Sequence, residues 1–100
     1  MPVPDTGTES RWSVDRSDRF ISRSFADERV VYDALSGDTH FLEPLAVELV
    51  AHLEHSPQPQ HELVLKLSGA FIFSPEEDVV ALTESTLAKL RGIGLVVIIP

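Results

Sequence analysis

No cysteine occurs in the chain, which excludes a disulfide framework, a thiol nucleophile and the usual structural zinc cages, and is compatible with a reducing compartment. Long hydrophobic runs are missing too: no stretch of about 18 apolar residues exists, so no transmembrane helix is expected. Basic residues are scarce, with 8 Lys and Arg against 16 Asp and Glu, and the formal net charge is -8. Binding to a phosphate backbone depends on Lys and Arg releasing counterions, so nucleic acid is not the expected partner. The 5 glycines stand apart at positions 7, 37, 69, 92 and 94, which leaves no glycine-rich loop to cradle a phosphate. A G-x-S-x-G nucleophile elbow is equally missing.

What remains is an ordinary globular composition, 43% hydrophobic and 24% charged over 100 residues. That length suits one small domain, with a single core and no room for a large substrate cavity. The first nine residues, polar and carrying two prolines, have no apolar h-region. They read as a loose N-terminal tail ahead of a domain over residues 10–100, without the features of a signal peptide. A cytoplasmic protein is the expectation. Acids outnumber bases in both halves, 10 to 5 in residues 1–50 and 6 to 3 in residues 51–100, so no acidic tail stands out.

The first half has strand character. Arg11 to Asp15 alternates polar and apolar residues, placing Trp12 and Val14 on one face of a half-buried strand. Arg16 to Arg23, charged and serine-rich around Phe20 and Ile21, fits either a loop or a second short strand. Glu28 to Asp33 and Asp38 to Leu42 are rich in β-branched and aromatic residues and form a predicted β-hairpin, with Gly37 supplying a positive φ in its turn.

Helices are expected in the second half. Pro44 suits a first helical turn, and Leu45, Leu49 and Leu53 follow at spacing four with Ala46 and Val50 beside them, to about Glu54. The prolines at 57 and 59 then block helix continuation and hold an extended linker. Leu63, Leu65 and Leu67 lie in a short segment ending at Ser68-Gly69, for which a helix is favoured over a strand. Ser74-Pro75-Glu76-Glu77 reads as a capping box that starts a long helix. Its apolar stripe is Val79, Leu82, Thr83, Thr86, Leu87 and Leu90, and Gly92 or Gly94 provides the left-handed cap. Leu95 to Ile99 is a final β-branched strand.

Candidate chemistry is thin. His52, His55 and His61 surround a helix end and a linker without a fixed carboxylate partner, so they favour a dipole role over metal ligation. His40 is a lone strand imidazole. Glu76, Glu77 and Asp78 fit a capping role at a helix start better than a cation site. No catalytic constellation assembles, no cofactor is implied, and a non-enzymatic binding role is expected.

The order of elements, with the wording GDTHFLEPLA, Trp12 upstream and LAKLRGIGLV at the end of the long helix, resembles the PqqD-like family of RiPP recognition elements. It looks most like the PqqD-type peptide chaperones of HPr-kinase-related (HPr-rel-A) systems. The resemblance spans about residues 11–97. It departs from the family at the first helix, where Glu43 stands in place of the common Asn or Asp cap.

The resemblance implies an α+β, winged-helix-like fold: a small antiparallel sheet, three helices and a short C-terminal strand. It further implies a peptide chaperone that binds the leader segment of a precursor peptide between the third sheet strand and the third helix, for a peptide-modifying or HPr-kinase-related enzyme. Carried onto this chain, the cleft walls are Asp38, Thr39, His40, Phe41 and Leu42 on one side and Val79, Val80, Thr83, Thr86, Leu87 and Leu90 on the other. Physics supports the mode, because an exposed sheet edge is a template for strand addition. The apolar stripe residues suit a core role as well, whereas Thr83 and Thr86, short and polar-tipped, suit a groove border. Two rivals stand beside it: a winged-helix nucleic-acid binder, which the acids of the long helix oppose, and a structural subunit that forms a homodimer through LVVIIP and the hairpin edge.

Overall fold

The computed structural model describes residues 10–26 and 28–100; the expected N-terminal tail lies outside them. In chain order come β1 (Arg11–Val14), β2 (Phe20–Phe25), β3 (Glu28–Asp33), β4 (Thr39–Leu42), α1 (Pro44–His55), α2 (Gln60–Ala70), α3 (Val79–Gly92) and β5 (Val96–Ile99). This is the α+β arrangement expected, with the strands dealt into two antiparallel sheets. The segment left open at Arg16 to Arg23 contributes the third strand of the larger sheet, whose order is β2-β3-β4. The Trp12 strand does not join the hairpin but pairs with β5, from Arg11 opposite Ile99 to Val14 opposite Val96.

The hairpin turn closes as its residues require. Gly37 sits at φ 83°, a conformation that costs glycine little. The Asp33 carboxylate accepts from the backbone N–H of Leu35 at 2.9 Å and of Ser36 at 3.3 Å, a side-chain turn that caps the strand end.

Spacing of leucines places the helices. Leu49 and Leu53 of α1, Leu63 and Leu67 of α2, and Leu87 of α3 are fully buried, each pair four apart so that both members share one helix face. Val14, Val31 and Val96 complete the core from the sheets. The linker between α1 and α2 is extended, as its prolines demand. It adds to the open side of β1, where the Trp12 N–H donates to the Gln58 carbonyl at 2.8 Å and the Gln58 N–H to the Trp12 carbonyl at 3.0 Å.

The start of α3 differs from expectation. Ser74 to Glu77 forms an isolated turn, with the Glu77 N–H donating to the Ser74 carbonyl and the Glu77 carboxylate accepting from the Ser74 N–H at 2.8 Å. The helix begins four residues after Pro75, at Val79, because Asp78 takes the cap: its carboxylate accepts from the N–H groups of Val80 and Ala81 at 3.0 and 3.1 Å. An Asp that satisfies two free N–H donors is a stronger cap than a serine whose hydroxyl makes no such bond. At the other end Gly94, at φ 86°, takes the left-handed position, while Gly92 remains helical.

Candidate functional site

β4 is an edge. Among the described residues it pairs only with β3, with Val31 opposite His40 and Arg29 opposite Leu42. The Asp33 N–H donates to the Asp38 carbonyl at 2.8 Å, which marks that pair as hydrogen-bonded. Alternation then puts the N–H and C=O groups of His40 and Leu42 toward β3 and those of Thr39 and Phe41 toward the open side. Four backbone groups therefore stand along the free edge of the strand.

Beside that edge runs a groove of about 180 Å³ lined by His40, Phe41, Leu42, Glu43, Ala46, Thr86, Lys89, Leu90 and Ile93. Side-chain alternation along β4 sends His40 and Leu42 inward and Thr39 and Phe41 outward, where Phe41 is 76% exposed. The floor is apolar, since Leu42, Ala46 and Leu90 are nearly buried. Thr86, Lys89, Leu90 and Ile93 recur at the three- and four-residue steps of one helical face. The Thr86 hydroxyl is directed back into its own helix, donating to the Leu82 carbonyl at 2.7 Å.

One ion pair ties the two walls together. Arg19 grips the buried Asp33 carboxylate with two hydrogen bonds of 2.8 and 2.7 Å, and its Nη2 also reaches the Ile93 carbonyl at 3.4 Å. The hairpin turn and the C-terminal end of α3 are thus pinned to one guanidinium. The Arg19 guanidinium, with help from the turn N–H groups, holds the Asp33 carboxyl far below the usual carboxylate range against the opposing effect of burial. Asp33 reciprocates by raising the pKa of Arg19.

Of the residues expected on the cleft, the structure brings His40, Phe41, Leu42, Thr86 and Leu90 to the groove. Asp38 belongs to the hairpin turn and Thr39 to the outer face of the edge strand. Thr83 and Leu87 are corrections: both are fully buried, and the Thr83 hydroxyl is satisfied by the Val79 carbonyl at 2.7 Å, so they form core. Val79 packs against that core. Val80 faces a different apolar surface, with Val64 and Leu65 of α2.

Glu43, Ala46, Lys89 and Ile93 were not expected there. Lys89 and Ile93 continue the helical face of Thr86 at i+3 and i+7, a signal present in the sequence. Glu43 and Ala46 carried none, because their place depends on how α1 crosses the sheet.

Among the described residues no three His, Asp or Glu side chains converge on a metal-sized site, but His52, contrary to expectation, does have a carboxylate partner, Glu48 one helical turn back at 2.9 Å. No described helix is long and apolar enough to cross a membrane.

No family model matches the chain, and no curated protein matches it. Among solved structures the fold is similar to that of TbiB1, determined in complex with the TbiA(beta) leader peptide. The TM-score is 0.66 at 20% sequence identity, over 84% of this chain and 93% of TbiB1. The likeness is one of fold.

Proposed function

We propose that this protein is a non-catalytic peptide-binding adaptor that takes up an extended leader segment along β4 and presents it to a modifying enzyme. The observation that carries the reading is the groove between the unpaired edge of β4 and α3. A guest strand there satisfies the four outward groups of Thr39 and Phe41 and lays alternate side chains on the apolar floor. β2 is also an edge, but its side chains from Ile21 to Phe25 are exposed on both faces, and the cavity that Phe20 and Ser22 border is smaller, about 70 Å³. That TbiB1 shares the fold and was determined with a leader peptide bound supports the same reading.

The narrower assignment rests on GDTHFLEPLA and the Trp12 strand. These make the chain a PqqD-type RiPP recognition element of an HPr-kinase-related system, with a precursor peptide and the enzyme of that system as its partners. Glu43 is the one departure from that pattern: it makes no side-chain cap, and Pro44 starts α1 without one.

Energetics are adequate for a reversible carrier. Four ladder hydrogen bonds at about 1 kcal/mol each and roughly 300 Å² of apolar burial at about 25 cal/mol per Å² give about 11 kcal/mol gross. Association and ordering cost about 4 kcal/mol or more, leaving a dissociation constant around the micromolar range.

Calorimetric titration with synthetic leader peptides from neighbouring genes tests the proposal. Saturable binding is expected for one of them, and Thr39→Pro or Phe41→Pro is expected to weaken it by about tenfold, because proline removes an outward N–H from the ladder. No saturable binding to any such peptide, or binding indifferent to both prolines in variants that retain the native circular dichroism spectrum, overturns it.

A further inference from the structure

The charge distribution around the groove says which peptides it selects. Half of the 8 Lys and Arg side chains of this acidic chain are engaged: Arg19 with Asp33, Arg29 with Glu54, Arg16 with the last carbonyls of α1 and Lys66 with Gln58. Of the other four, Arg11, Arg23, Lys89 and Arg91, Lys89 lines the groove, where it is exposed and its side chain makes no hydrogen bond or ion pair with any described residue. His40, on the opposite wall, carries at least one ring N–H in every protonation state. Between them lies the apolar floor of Leu42, Ala46 and Leu90, and Glu43 is the acid on the groove lining.

We infer that the groove selects an extended segment bearing an apolar side chain over the Leu42–Leu90 floor and, on the same face of the guest strand, an Asp or Glu side chain against Lys89. The inference rests on the peptide-binding reading and adds the chemistry of the guest. Two residues on one face of a strand are two apart in sequence, so apolar and acidic positions at i and i+2 are the pattern expected.

The whole molecule sharpens this choice. A net charge of -8 repels acidic peptides at long range, but salt screens that repulsion beyond about 8 Å under physiological conditions. A single acid that reaches Lys89 is favoured, while a uniformly acidic peptide is not. Glu43 disfavours a second acid at its own end of the lining. The carboxylate is assigned to a side chain, since a guest strand that runs on past β4 has no terminus in the groove.

Random peptides displayed on phage, tethered through their C-termini, provide the test against the full chain. Selection should enrich an apolar residue and an Asp or Glu at spacing two. With the selected peptide in fluorescence polarisation at low ionic strength, Glu→Gln should weaken binding by about three- to fivefold, the scale of a partly exposed ion pair. Lys89→Glu should reverse the preference, so that a peptide with Lys at that position binds better than one with Glu. Lys89→Met should erase the difference between Glu and Gln peptides. Lys89 is exposed, so both variants should keep the wild-type circular dichroism spectrum, with Lys89→Glu melting slightly lower because it sets an acid in the last turn of α3.

Enriched peptides without an acidic position, or an acidic preference that survives Lys89→Glu, overturn this inference while leaving the adaptor reading standing. Binding of the acid only as a free peptide C-terminus overturns the side-chain assignment. Failure of every selected peptide to bind saturably overturns the adaptor reading and the inference together.

Discussion

At the scale of single residues, the two glycines near the end of α3 have opposite roles. Gly94 lies at φ 86°, and a Cβ there would stand 2.8 Å from Nη1 of Arg19, the guanidinium that holds Asp33 and reaches Ile93. Gly92 is helical with open space around its missing Cβ. Gly94→Ala is therefore expected to lower stability by about 1–2 kcal/mol through backbone strain alone, with the displaced Arg19 adding to the loss. Gly92→Ala is expected to raise it by about 0.5 kcal/mol by narrowing the unfolded ensemble. Urea denaturation of the two variants against wild type checks both signs. Without the structure either glycine could have supplied the turn, since both follow the last apolar residues of the helix.

Elements depend on caps and edges that composition only partly reveals. The α3 start illustrates this, because Ser74-Pro75-Glu76-Glu77 has the residue types of a capping box and does form the reciprocal Glu77 contact. It nevertheless makes only a turn, and Asp78 holds the helix. Asp78→Ala should cost about 1 kcal/mol. Ser74→Ala should cost less than about 0.5 kcal/mol, since Ser74 takes part through its backbone alone. Thermal melts of the pair separate the two accounts: a larger loss at Ser74 would show that the helix starts where the local pattern suggests. The four-residue shift also matters for the acids, since Glu76 and Glu77 leave the helix and only Asp78 meets its positive end.

For the whole molecule, the Arg19–Asp33 pair joins the hairpin sheet to the segment after α3, so its protonation state bears on the fold and on the spacing of the groove walls. The Asp33 carboxyl titrates far below its ordinary value in the folded chain. Asp15, whose carboxylate accepts from the Ser17 N–H at 2.7 Å, is also lowered. A carboxyl whose folded pKa is depressed contributes stability that is fully present above its unfolded value, about 4, and is lost as pH falls below that. The melting temperature is expected to fall steeply as pH drops below about 4. Asp33→Asn should melt lower than wild type at neutral pH and show a shallower acid limb. An acid limb identical to wild type would remove Asp33 from this role.

By itself the sequence determined what depends on near neighbours along the chain: the hairpin over residues 28–42 with its glycine turn, the leucine faces of the three helices, the extended proline linker and the terminal strand. Periodicity and turn chemistry are local, and these were legible. Only the tertiary structure decided which strands pair, because β1 and β5 lie more than 80 residues apart and nothing local specifies a partner at that distance. It also decided which polar residues of α3 face outward. Thr83 and Thr86 look alike in the stripe, yet one is sealed in the core and the other borders the groove. A small rotation of the helix against α1 and β4 sets that difference, and packing of the whole core fixes the rotation.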